Sequence, residues 1–389
     1  MSKFSFLSPT KLIGALRRRL QFVDVNKHYK PGQLPLTQTV LFESFQGKVI
    51  ADSPLAIFEE LRDRDLGLDL VWAVNDASQA VPRGSRSVVW GSHEWLALLA
   101  SAKYLVNNAN YPFFFRKAPG QVYLQTWHGT PLKKLGRDVP NVPLNVGYQA
   151  TMEREARTWD YLVSPNEFFA SVFPKAFCYE GKLISSGYPR NDILSKRAKA
   201  IRGKVRDSLG LSSSDLAILY APTWRDYKRT GSGDWEAFNY WPSDVQLEQN
   251  AKLLFRGHHN TMSSHSNEIA NGAIDVTHFD DIAELYLAAD VLVTDYSSSM
   301  FDFSVTGKPM IFFAPDLERY RSERGFYLDY EDEVPGPVVR SASELQRALG
   351  NLDEDKSEYK SKYAAWRKRF NALDDGLAAK RVVDQVWGN

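Results

Sequence analysis

From about residue 38, short apolar runs alternate with segments of helical period, and after a charged stretch the alternation restarts. No other feature constrains the fold as much. In the first series Thr39–Phe42, Leu68–Val74, Tyr104–Asn107, Gln121–Thr126, Tyr161–Ser164 and Leu183–Ser185 read as strands. Pro54–Arg64 reads as a helix with Ile57, Phe58 and Leu61 on one face, and Trp95–Ser101 as a shorter one. Ser195–Ser208 predicts a connecting helix. The second series comprises Ala217–Tyr220, Lys252–Arg256, Ile274–Val276, Val291–Thr294 and Pro309–Phe313, with Asp281–Ala288 helical. Ser343–Leu349 and Lys356–Trp387 predict a helical tail, and Gly231–Gly233 and Asn260–Asn271 predict loops. Strand–helix–strand repetition implies parallel sheets covered on both faces, hence an α/β fold in two units. A length of 389 residues fits about two domains.

The charge balance, 48 Lys and Arg against 47 Asp and Glu, argues against a general nucleic-acid binder. It conceals an asymmetry. Residues 1–30 carry Lys3, Lys11, Arg17, Arg18, Arg19, Lys27 and Lys30 against Asp24, a balance of +6, which leaves −5 for the rest. After Pro9 and Thr10, residues Leu12, Ile13, Leu16 and Leu20 share one helical face. Such a head either lies on an anionic membrane surface or packs on its own domain with its basic face in water. No apolar run approaches the ~18 residues that span a bilayer, and the N-terminus lacks the apolar core of a secretion signal. Cys178 is the single cysteine, so no intrachain disulfide forms, and a reducing compartment is the natural expectation.

Three motifs follow strand ends, where open α/β sheets bind ligands. The first is Gln125–Lys134, containing His128, Gly129, Thr130, Pro131 and Leu132. A histidine there suits general-base work at neutral pH; a turn histidine bonded to backbone is the plainer alternative. Gly129 permits close backbone approach. Thr130 and Pro131 predict a helix start whose free amides can hold an anion. The second motif is Arg256, Gly257, His258 and His259. An arginine and a histidine at a strand end can hold phosphate oxygens. Adjacent histidines point apart, and no metal-spaced cluster accompanies them, so metal ligation has little support. The third runs Val293–Asp302, with Ser297, Ser298 and Ser299 opening a helix that closes at Gly307. These serines cap the helix, and the same amides and hydroxyls can cradle phosphate. Ala221–Arg225 and Gly187–Asp192 also put an arginine at a strand end. The aromatic run Tyr111–Arg116 reads as core packing or as a stacking surface. Glycine-rich dinucleotide, Walker-type and Gly-x-Ser-x-Gly motifs are absent from the sequence.

Taken in order, Trp127–Lys133, Ala221–Arg225, Arg256–His258 and Asp295–Ser298 resemble the CDP-glycerol glycerophosphotransferase family of wall teichoic acid synthesis. Glu43–Lys48 followed by Asp52–Pro54 resembles its N-terminal motif, so the likeness runs from about residue 40 to about 330. The resemblance implies two Rossmann-like domains facing a cleft, a glycosyltransferase-B-like fold. Its boundaries would be a basic membrane-associating head at 1–30, an acceptor-side domain at 31–200 and a CDP-glycerol-binding domain at 201–389. It implies transfer of glycerol phosphate from CDP-glycerol to the hydroxyl of a lipid-linked saccharide or polyol-phosphate acceptor. CMP would leave, and the enzyme would sit at the cytoplasmic face of the membrane. His128 would be the base and His258 would help hold the phosphates. Gly129, Thr130, Pro131, Leu132, Arg190, Pro222, Thr223, Arg256, Gly257, Ser297, Ser298 and Asp302 would bind the donor. The family usually has proline after the second histidine; here His259 stands there and competes with His258 for its role. This inventory requires no metal cofactor, because cationic side chains and helix starts can offset phosphate charge. CDP-ribitol as donor, a nucleotide-sugar glycosyltransferase of the same fold and a non-catalytic binding module are the alternatives.

Overall fold

The computed structural model describes residues 25, 27–140, 146–196, 198–223, 241–257 and 272–388. Runs such as Val291–Thr294 and Met310–Phe313 are apolar enough to be covered on both faces, and every residue in them is buried. They belong to two sheets in which all pairings are parallel. The first contains β1 (Thr37–Glu43), β2 (Asp69–Val74), β3 (Arg86–Val89), β4 (Ala102–Asn107), β5 (Val122–Gln125), β6 (Tyr161–Ser164) and β7 (Lys182–Ser185), in the order β3-β2-β1-β4-β5-β6-β7. The second contains β8 (Leu216–Ala221), β9 (Ala251–Phe255), β10 (Ile274–Asp275), β11 (Val291–Thr294), β12 (Met310–Phe313) and β13 (Val338–Val339), in the order β10-β9-β8-β11-β12-β13. Each sheet starts in its middle and reverses direction, between β1 and β4 and between β8 and β11. Such switch points leave a crevice at the strands' carboxyl ends.

The edge strands β3 and β13 are additions to the sequence reading; both are short and sit at sheet margins. The connecting helix is two helices, Asp192–Lys196 and Ala198–Ser208. The tail is not one helix but Leu352–Glu358, Lys360–Phe370 and Ala378–Trp387. The last of these leaves the second unit. Its Val382 and Val383 enter the core formed by Val40, Phe42, Ile57, Phe58 and Trp72 of the first. The traffic runs both ways, since Leu132 of the first unit joins the core of the second with Tyr296, Trp366 and Phe370. Within the aromatic run, Tyr111 and Phe115 are core residues, while Phe113 is about half exposed. At the other boundary, buried Tyr29 donates its hydroxyl to the Arg116 carbonyl at 2.7 Å, so the end of the basic head is part of the first domain. The amphipathic stretch at 9–20 lies outside the described residues.

Candidate active site

His128 stands three residues past the end of β5. Trp127 turns the chain with a left-handed φ of 53° and gives its N–H to Gln125 Oε1 at 2.8 Å. Its indole stacks on the imidazole at 4.4 Å and meets Phe173 edge-on, anchoring the histidine to the core. His128 Nδ1 lies 2.7 Å from the Asn108 carbonyl oxygen. A carbonyl only accepts, so Nδ1 carries the hydrogen and Nε2 keeps its lone pair. The ring is open to the cleft although it stands deep between the domains. Burial lowers its pKa below the ordinary histidine value, with the Asn108 carbonyl and Asp52 opposing and Arg190 reinforcing the fall. At neutral pH the imidazole is therefore a neutral base with one open nitrogen.

The second domain faces it with the turn after β11. Ser297 Oγ accepts the Ser299 N–H at 3.2 Å and lies 2.9 Å from Ser299 Oγ, which folds the three serines into one tight turn. Buried Asp295 fastens the turn to the end of β8 by accepting the Thr223 N–H at 2.8 Å. The helix Ser299–Phe303 follows and, through a 3-10 turn, closes at Gly307 as expected. Gly129 makes the approach of the two domains possible: a Cβ on it would stand 2.6 Å from Ser298 Oγ. Thus the His128 loop and the serine turn touch where no side chain fits.

A cavity of about 250 Å³ occupies this seam. His128, Arg190, Pro222, Arg256, Gly257, Ser297, Ser298 and Asp302, all expected from sequence, line it, joined by Asp52, Asp281, Tyr286 and Ser299. Arg256 enters from the end of β9, gives its guanidinium to the carbonyls of Val276 and Phe279 at 3.1 and 2.8 Å, and has its pKa lowered by burial. Gly257 N–H is held by Thr277 Oγ1 at 2.9 Å. Arg190 is clamped between carboxylates of both domains, Asp52 at 3.2 Å and Asp302 at 2.9 Å, and lies 4.0 Å over the Tyr188 ring. Burial raises the Asp302 carboxyl, and Arg190 opposes the rise. Asp281 caps the helix Ile282–Ala288, and burial pushes its carboxyl up to about 6.

The helix expected at Thr130–Pro131 does not form. The segment instead runs extended and bridges to the second domain: Lys133 pairs with Phe326, and Leu132 O accepts the Tyr327 N–H at 2.9 Å. Thr130 and Leu132 are buried, and with Pro131 and Thr223 they are not among the cavity-lining residues. Leu132 joins the two domains through its carbonyl, while Thr223 gives its N–H to Asp295 within the second domain. Trp224, Arg225, His258 and His259 lie outside the described residues. Sequence reading did not single out Asn107, Asn108, Asp281 or Tyr286 as site residues. Asp281 carried a signal, because it stands at the start of a legible helix just beyond a strand–turn unit. Among the described residues no group of three His, Cys, Asp or Glu side chains is arranged to hold a metal ion.

Comparison with known proteins points to one family. Residues 32–388 match the family described as CDP-Glycerol:Poly(glycerophosphate) glycerophosphotransferase. The chain is 37% identical to a teichoic acid glycerol-phosphate transferase of Staphylococcus aureus, over 91% of this chain and 94% of that one. It is 33% identical to the teichoic acid poly(glycerol phosphate) polymerase of Bacillus subtilis, over 99% of this chain but about half (54%) of that longer protein. The structure of the wall teichoic acid polymerase TagF soaked with CDPG superposes with a TM-score of 0.84 at 31% identity, covering 98% of each chain.

Proposed function

The chain belongs to the CDP-glycerol:poly(glycerophosphate) glycerophosphotransferase family of transferases, and from that premise we propose that it moves glycerol phosphate from CDP-glycerol to an acceptor hydroxyl, releasing CMP. The observation that carries the reading is the Nδ1–H bond of His128 to the Asn108 carbonyl, which leaves Nε2 open to a cleft between two nucleotide-binding-type sheets. His128 Nε2 takes the acceptor's proton as its oxygen attacks the β-phosphorus of CDP-glycerol. The new oxygen–phosphorus bond forms as the bond to CMP breaks, and CMP leaves with the electron pair. Arg256 and the Ser297–Ser298 turn offset charge on the phosphates, and Arg190 does so once the donor competes with Asp52 and Asp302 for it. His258 is assigned to the phosphates from the family pattern. Transfer of this kind rests on positioning and electrostatics and calls for no metal from these residues.

His128→Ala tests the assignment. CMP release from CDP-glycerol and acceptor is expected to fall roughly 10²–10⁴-fold, the span of general-base contributions. Wild-type turnover would remove His128 as the base. CDP-ribitol is the competing donor, since ribitol-phosphate polymerases are also relatives at 27–28% identity, the level of a glycerol-phosphate primase at 28% but below the glycerol-phosphate transferase and polymerase at 37% and 33%. Mass analysis of products from the two donors decides between them.

The acceptor is proposed to be lipid-linked, with the enzyme held peripherally at the cytoplasmic face by its basic head. The +6 balance of residues 1–30 supports this, each basic residue near anionic lipid contributing about 1 kcal/mol. Among the described residues no helix is long and apolar enough to cross a membrane. Replacing Arg17, Arg18 and Arg19 together by Glu should release the full chain from anionic vesicles in a sedimentation assay; unchanged sedimentation would sink the membrane reading.

A further inference from the structure

The carbonyl that orients His128 belongs to a peptide plane fastened at its other end. Asn108 C=O and Ala109 N–H are the two poles of one planar group, so fixing one direction fixes the other. At the carbonyl pole the His128 Nδ1–H donates at 2.7 Å; at the amide pole the Ala109 N–H donates to Asn107 Oδ1 at 2.8 Å. Asn107 closes on the residue two places ahead, in the manner of an Asx turn. It is fully buried. Its own carbonyl accepts the Thr126 N–H at 2.9 Å, two residues before His128. Its Nδ2 lies 3.5 Å from Glu43 Oε1 at the end of β1. The neighbouring Asn108 Oδ1 takes the Phe45 N–H at 2.8 Å, and Phe45 lines the same cavity as His128. The ends of β1, β4 and β5 are thus tied around a single peptide plane.

We propose that Asn107 is a positioning residue for His128: its side chain holds the 108–109 peptide in the orientation that keeps the proton on Nδ1 and leaves Nε2 facing the cleft. The proposal deepens, and rests on, the reading of His128 as base. Asn107 touches no reacting atom. It acts through a backbone carbonyl, which no substitution at position 108 removes. If the peptide turned, the imidazole would lose its acceptor, and the tautomer with hydrogen on Nε2 would have no lone pair for the acceptor's proton.

Long-range ¹H–¹⁵N spectra of the histidine side chains in the full chain read the tautomer directly, with His128→Gln identifying the resonance. The wild type is expected to show His128 protonated on Nδ1. Asn107→Ala should give a mixture of tautomers. Its kcat for CMP release should fall roughly ten- to hundredfold, the range seen when partners that orient a ligating histidine are lost. KM for CDP-glycerol should stay unchanged. Its acid limb should move to lower pH, because the lost carbonyl bond is one that raises the His128 pKa. Asn107→Asp keeps an oxygen for the Ala109 N–H and should restore the Nδ1–H tautomer. If Asn107→Ala does not fold, Asn107→Ser, with a weaker local acceptor, takes its place and should show the same trend in smaller measure. A wild-type tautomer and pH profile in the folded Ala or Ser variant would overturn the proposal. An active His128→Ala enzyme would instead overturn the base assignment, while the tautomer spectra would still decide what Asn107 does.

Discussion

At the scale of single residues, the end of β1 holds a carboxyl group under strain of environment. Glu43 is fully buried, and burial pushes its pKa up to about 8; Glu155, on the helix Val146–Ala156, is likewise pushed up to about 7. A carboxyl whose folded pKa exceeds its unfolded value of ~4.5 binds more protons in the native state. The native state therefore keeps its full advantage below about pH 4.5 and loses it as pH rises toward 8. Glu43→Gln retains an oxygen for Asn107 and cannot ionise. It should flatten the fall in urea-unfolding free energy between about pH 5 and 8, by on the order of 1 kcal/mol per pH unit at most; equal slopes for variant and wild type would contradict this. His128 and the serine turn were legible in the sequence because a strand end, a glycine and hydroxyl residues mark them. Asn107 and Asn108 were not, since an asparagine after a strand is ordinary turn chemistry. Only the three-dimensional pairing of Asn107 with Ala109 and of Asn108 with His128 distinguishes them.

At the scale of elements, the helix Ala378–Trp387 is capped from elsewhere in the chain. Asp192, where the first unit hands over to the second, accepts the N–H groups of Ala378 and Ala379 at 2.9 and 3.0 Å through its two carboxylate oxygens. A carboxylate there satisfies two orphan amides and faces the positive end of the helix. Asp192→Ala should lower stability by about 1–2 kcal/mol, and Asp192→Asn by less; a variant as stable as wild type in urea would mean that water caps the helix equally well. The strands are legible because four- to seven-residue apolar runs have little alternative to a doubly covered sheet. The destination of the last helix is not, because periodicity reports an apolar face and not the sheet that it covers. The segment after Thr130 misled for a related reason. Threonine followed by proline suits a helix start, but Lys133 and Leu132 find backbone partners at Phe326 and Tyr327, which local sequence does not contain.

At the scale of the whole molecule, Asp52, Arg190 and Asp302 form a buried latch across the seam between domains. Removing the cation leaves two carboxylates without their partner, so Arg190→Met should cost about 3–5 kcal/mol at neutral pH. The cost should shrink as pH falls, since burial already raises Asp302 and loss of Arg190 raises it further, until protonation relieves the charge. Unfolding measured at pH 7 and pH 5 checks both parts; a pH-independent loss would point to packing and not to charge. The expected two-unit architecture holds, but the units are not independent strings of sequence. The first sheet ends with β7 at Ser185, whereas the helix that seals its face begins at Ala378. On a ribosome adding 5–20 residues per second, the intervening stretch of roughly 190 residues takes about 10–40 s to make. During that interval the nascent first domain presents an unsealed apolar seam beside Ile57 and Trp72. Residues made roughly 190 positions after its own last strand are those that finish the first domain.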